Sequence, residues 1–77
     1  MILNPSQAKA AYSTMCELNN VGFRMRTVCK YEDGSGVFVG NRDDGTVSVR
    51  VFDVDGETTY TENYPTQAAF AAAYNLE

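Results

Sequence analysis

Residues 47–60 read Val-Ser-Val-Arg-Val-Phe-Asp-Val-Asp-Gly-Glu-Thr-Thr-Tyr, and their pattern decides the architecture. Val47, Val49 and Val51 alternate with Ser48, Arg50 and Phe52, the period of two that marks a strand with one buried face. Asp55-Gly56 is hairpin chemistry, predicting a tight turn into a second strand over 57–63. Thr58, Thr59, Tyr60 and Thr61 give that strand its β-propensity.

The same punctuation recurs upstream. Asp43-Asp44-Gly45 sets Val47 apart from a short strand, Val37-Phe38-Val39, and Glu32-Asp33-Gly34-Ser35-Gly36 sets that strand apart from residues 23–31. There Phe23, Met25, Thr27, Cys29 and Tyr31 share one face, while Arg24, Arg26, Val28 and Lys30 share the other. Strands joined by turns this short pair with their neighbours, so a four-stranded antiparallel meander is predicted.

Helical signals flank the meander. Asn4 suits an N-cap, Pro5 the first helical position, and Gln7 the third position of a capping box. Ala8, Ala11, Tyr12, Met15 and Leu18 form one stripe, and Asn19, Asn20 and Gly22 supply the stop. After Pro65, Thr66 is placed to cap a second helix over Gln67 to Tyr74, anchored by Phe70 and Tyr74. So short a helix must dock on the sheet to persist. The fold class is therefore α+β in the order α-β-β-β-β-α, with both helices on the face carrying Met25, Cys29, Val47, Val49 and Val51. A sheet covered on one side leaves its other face to solvent or to a partner.

Composition narrows the function classes. Seventy-seven residues make a single domain, 1–77, in which Leu76-Glu77 reads equally as native or as a remnant of cloning. No apolar run approaches the roughly 20 residues of a membrane span, and the opening Met-Ile-Leu-Asn-Pro-Ser-Gln lacks a signal-peptide pattern. A cytoplasmic protein is expected, with Cys16 and Cys29 reduced and acting as small core hydrophobes, though a bridge between them is geometrically open. Without any histidine, most triads, most zinc sites and the usual proton shuttle drop out. Asp53-Val54-Asp55-Gly56 lacks the spaced ligands of a calcium loop, and Gly34-Ser35-Gly36 has neither the lysine nor the helix of a phosphate loop. No catalytic residue, metal or cofactor can be named, so an enzyme is not expected.

The charge pattern suggests where a partner would bind. Residues 1–30 set Lys9, Arg24, Arg26 and Lys30 against Glu17, a balance of +3 within a chain of net charge −4. Residues 31–77 set Arg42 and Arg50 against nine carboxylates, a balance of −7. In a meander the first and third hairpin tips lie at one end, roughly 10 Å apart, which gathers Glu32, Asp33, Asp53, Asp55 and Glu57. These carboxylates read either as turn-formers or as a docking surface for a cationic protein. A second candidate is a basic sheet face of Arg24, Arg26, Lys30 and Arg50, with Phe38 and Phe52 turned the same way, which would suit nucleic acid. Tyr60 and Tyr64, on one strand face with Glu62, are candidate interface aromatics.

In size, acidity and αβ make-up across the whole chain, the sequence resembles the small acidic inhibitors that bacteriophages direct against host defence and nucleic-acid machinery, anti-CRISPR proteins among them. No motif residue carries that likeness, so it transfers no site. What it implies is a non-enzymatic binding module that occupies a cationic groove as a nucleic-acid mimic. The alternative is a small nucleic-acid-binding module using the basic face. A homodimer is compatible with both.

Overall fold

Valine alternation and glycine-bearing turns build the sheet. Four strands, β1 (Met25–Lys30), β2 (Gly36–Asn41), β3 (Val47–Phe52) and β4 (Thr58–Tyr64), pair antiparallel in the order β1-β2-β3-β4. Helix α1 (Pro5–Val21) precedes them and α2 (Gln67–Ala73) follows, giving α-β-β-β-β-α. The computed structural model describes residues 2–21 and 25–76, without the side chains of residues 19–21.

Both helices start as their sequences dictate. The Gln7 N–H donates to Asn4 Oδ1 at 2.8 Å and the Asn4 N–H donates to Gln7 Oε1 at 2.9 Å, a reciprocal capping box. Thr66, with extended backbone at φ −147, accepts the Ala69 N–H on its hydroxyl at 3.0 Å. The far ends differ from expectation. Helix α1 continues through Asn19 and Asn20 to Val21, and Gly22 lies outside the described residues. Tyr74 caps α2 instead of ending it, because Asn75 turns left-handed at φ 55 and the Leu76 N–H folds back to the Ala71 carbonyl.

The core lies between the helices and one sheet face. Ala8, Ala11, Met15 and Leu18 come from the stripe of α1, Val37 and Val39 from β2, Val47 and Val49 from β3, and Phe70 from α2. Ala8 and Ala11, in the first turns of α1, are fully buried. Among the described residues Phe70 is the largest fully buried side chain, with Tyr64 edge-on at 5.3 Å and Tyr74 tilted against it at 4.9 Å. Leu76 packs on this core from the C-terminal side.

Strand β1 departs from the predicted phase. A bulge at Val28 shifts the register between Thr27 and Cys29, so Thr27 stands opposite Phe38 while Cys29 stands opposite Val37. Cys29 therefore faces the core, as expected, but Met25 does not; it lies on the uncovered face, 50% exposed. Arg26 changes sides in the opposite sense. Opposite the buried Val39, it reaches α1 and pairs with Glu17 at 2.6 Å. A period-two reading carries one phase through a strand, and an inserted residue reverses every assignment on its far side. Phe23 and Arg24 lie outside the described residues.

Cys16 also differs from the core role expected of it: it is exposed on α1, where the Gln67 amide approaches its sulfur at 3.0 Å. Both cysteines are free thiols.

Candidate functional site

All three hairpins follow one plan. In the first, the Tyr31 N–H donates to the Ser35 carbonyl and the Gly34 N–H donates to the Tyr31 carbonyl. The pattern repeats at Arg42, Thr46 and Gly45, and again at Asp53, Glu57 and Gly56. Each turn ends on a glycine with φ between 82 and 96, a conformation that a side chain resists. The third turn is thus a five-residue loop, 53–57, like the others.

The carboxylates in these turns divide by task. Asp33 accepts the N–H and the hydroxyl of Ser35, and Asp44 accepts both groups of Thr46. The Ser35 hydroxyl and then its N–H lower the Asp33 pKa; for Asp44 the Thr46 N–H leads, followed by the Thr46 hydroxyl. The third turn has no serine or threonine after its glycine, and Asp53 takes over by accepting the N–H groups of Asp55 and Glu57. Glu32, Asp55 and Glu57 are exposed and do not serve the turns in this way.

The first and third tips meet at one end of the sheet. A Cβ built on Gly34 would lie 3.2 Å from the Val54 carbonyl oxygen, so the two turns touch through backbone. Glu32, Asp33, Asp53, Asp55 and Glu57 therefore share one end of the molecule. Val54, 57% exposed, is the apolar element among them.

The uncovered sheet face has different chemistry. Thr27 and Lys30 of β1, Gly36, Phe38 and Gly40 of β2, and Ser48, Arg50 and Phe52 of β3 share it by register. The Phe38 and Phe52 rings meet edge-on at 6.0 Å, and the Arg50 guanidinium lies 5.9 Å from the Phe38 ring centre. Met25, Phe38, Arg42 and Arg50 help to line an open hollow of about 360 Å³ beside the second hairpin. Of the four cations expected on a basic face, Lys30 and Arg50 are there, Arg26 is on the helix side, and Arg24 lies outside the described residues.

The two candidate interface tyrosines separate as well. Tyr60 is 63% exposed at the β4 edge. Tyr64 is half-buried against Phe70 and donates its hydroxyl to Glu62 Oε1 at 3.0 Å. The same carboxylate oxygen accepts the Tyr74 hydroxyl at 2.6 Å, and that hydroxyl in turn accepts the Leu3 N–H at 3.3 Å. Burial first, and then the hydrogen bond to Glu62, raises the pKa of both tyrosines. Sequence reasoning missed this clasp. Its local signal was Glu62 and Tyr64 two apart on one strand face; its other members come from the far ends of the chain.

Among the described residues no group of three or more His, Cys, Asp or Glu side chains is placed to hold a metal ion. No described helix is long and apolar enough to cross a membrane. No family model matches the chain, and no curated protein or solved structure matches it either.

Proposed function

We propose that this chain is a non-enzymatic protein-binding module that presents its acidic end to a cationic surface on a partner. The observation that carries the reading is the backbone contact between Gly34 and Val54, which joins two acidic turns into one anionic surface. Fixed turns hold the backbone that carries these charges before any partner arrives, so little backbone ordering falls on binding. A partner built to grip phosphates would meet carboxylates instead. That fits a cytoplasmic inhibitor of a nucleic-acid-binding or defence protein, as phages and other mobile elements make, with Val54 as an apolar contact inside the charged rim.

The alternative, direct nucleic-acid binding by the uncovered face, has less support. Lys30 and Arg50 stand there with Phe38 and Phe52, but a net charge of −4 opposes a phosphate chain.

The test reverses the charges that do not build the turns. A chain carrying Glu32→Lys, Asp55→Lys and Glu57→Lys keeps Asp33 and Asp53, and so is expected to fold. Affinity capture from cells of the source organism, with bound proteins identified by mass spectrometry, is expected to recover a partner with the parent chain and lose it with the variant. Elution of that partner by salt is expected too. Equal recovery by both chains refutes the acidic-end reading. Retardation of short DNA or RNA by the parent chain at low salt favours the alternative.

A further inference from the structure

The two edges of the sheet are unequally defended. Strand edges present unpaired N–H and C=O groups, and proteins that remain monomeric blunt them with bulges, charges or proline. Strand β1 has two such devices. Its bulge at Val28 falls mid-strand, leaving three residues on one side and two on the other, and Arg26 and Lys30 add charge. Strand β4 is the longer edge, Thr58–Tyr64, with neither lysine, arginine nor proline within it. Its own irregularity lies at the beginning, where Thr59 is passed over and its hydroxyl donates to the Val51 carbonyl at 3.1 Å. From Tyr60 to Tyr64 the ladder with β3 is regular. This stretch carries Tyr60, the most exposed of the large apolar side chains among the described residues.

We infer that the β4 edge is a self-association surface on which the β4 strand of a second copy adds antiparallel, continuing the two sheets into one. An edge with so little charge of its own accepts a second copy of itself, and the charges elsewhere set the direction. Glu62 is the one charged residue in β4, and it is turned toward the helices and held by Tyr64 and Tyr74. A two-fold axis near Tyr60 or Thr61 keeps Glu62 from facing its own copy and sets Tyr60 beside the axis, where aromatic cross-strand pairs stabilise a ladder. Antiparallel addition also sends the acidic ends of the two copies in opposite directions. A seven-residue strand is roughly 20 Å long, well beyond a screening length of about 8 Å, so the acidic ends do not oppose pairing. Parallel addition would place them side by side.

Sedimentation velocity of the full chain across roughly 10 μM to 1 mM tests this, since self-association must follow concentration. A reversible species of twice the 8.5 kDa chain mass is expected. Thr61→Lys puts a like-charge pair at the axis and is expected to weaken the dimer about tenfold or more. Thr27→Lys makes the same charge change on the exposed β1 edge and is expected to leave the dimer intact. Both variants lower the net negative charge, so a loss specific to Thr61→Lys does not come from greater repulsion between copies. Circular dichroism confirms that each variant is folded. A parent chain that stays monomeric throughout overturns the inference. So does a dimer that tolerates Thr61→Lys, or one that Thr27→Lys disrupts equally. Dimerisation is independent of the acidic-end reading, because the chain carrying Glu32→Lys, Asp55→Lys and Glu57→Lys retains the β4 edge.

Discussion

The two faces of this sheet are made from the same two inner strands, β2 and β3, and differ in almost every other respect. The helix-bearing face presents Val37, Val39, Val47 and Val49, all buried, against two helices. The opposite face presents Phe38, Arg50 and Phe52, half-buried, around an open hollow. One face holds the molecule together. The other is free to vary its chemistry, and substitutions should separate the two by size of effect.

Phe70→Ala should cost the most, about 3–5 kcal/mol, because it empties the centre of the core and leaves the Tyr64 and Tyr74 rings unsupported. Arg50→Ala on the other face should cost about 0.5 kcal/mol or less. Urea midpoints of the two variants measure the contrast. A loss at Arg50 that rivals Phe70 would break it.

Gly36 is an expected exception, an outer-face residue with a large effect. A Cβ there would run into the Cys29 carbonyl and lie 2.6 Å from the Phe52 ring, and the carbonyl belongs to the bulged strand beside it. Gly36→Ala should lose roughly 1–3 kcal/mol, read from the same urea curves.

The tyrosine clasp gives the covered face a signature in alkali. The folded state holds both hydroxyls protonated above their ordinary pKa of 10.0, so it binds more protons than the unfolded chain once the pH passes that value. Stability should therefore be level up to about pH 10 and fall above it. Tyr64→Phe with Tyr74→Phe should flatten that fall while costing about 1–2 kcal/mol at neutral pH for the lost hydrogen bonds. Thermal melts from pH 8 to 11 follow both effects.

The turns give the smallest effect, at the acid end. Asp33 and Asp44 have pKa values below the ordinary 3.8, so the stability they confer is complete above that value and lost as the pH falls through their lowered values. Ser35→Ala and Thr46→Val each remove a hydroxyl donor, and both should bring acid unfolding to a slightly higher pH.

Much of this arrangement can be read directly along the chain. Asn4 with Gln7, and Thr66 ahead of Ala69, are local chemistry within four residues, and the alternating valines need only a strand to express them. The bulge at Val28 is harder, because the apolar alternation of residues 23–31 runs through it in one unbroken phase and gives no local sign of an inserted residue. The contacts that go with it are distant in sequence: Arg26 pairs with Glu17 on α1, and the Cys29 carbonyl occupies the place a side chain on Gly36 would take. The acidic end was legible because a meander fixes which tips are neighbours. Which carboxylates build the turns was less so, since Asp53 takes in the third turn the task that Asp33 and Asp44 perform from a different position. The clasp of Glu62, Tyr64, Tyr74 and Leu3 was out of reach, as its members come together only after both helices have docked.

That clasp has a topological consequence. The Leu3 N–H and the Tyr74 hydroxyl, 71 positions apart, share a hydrogen bond, so the two ends of the described fold lie side by side. A short linker could join them, and the chain could be reopened at the second hairpin, where Gly45 has nothing within 4 Å of where its Cβ would be. Such a circular permutant would carry its new ends at the tip opposite the acidic surface, with both acidic hairpins left whole.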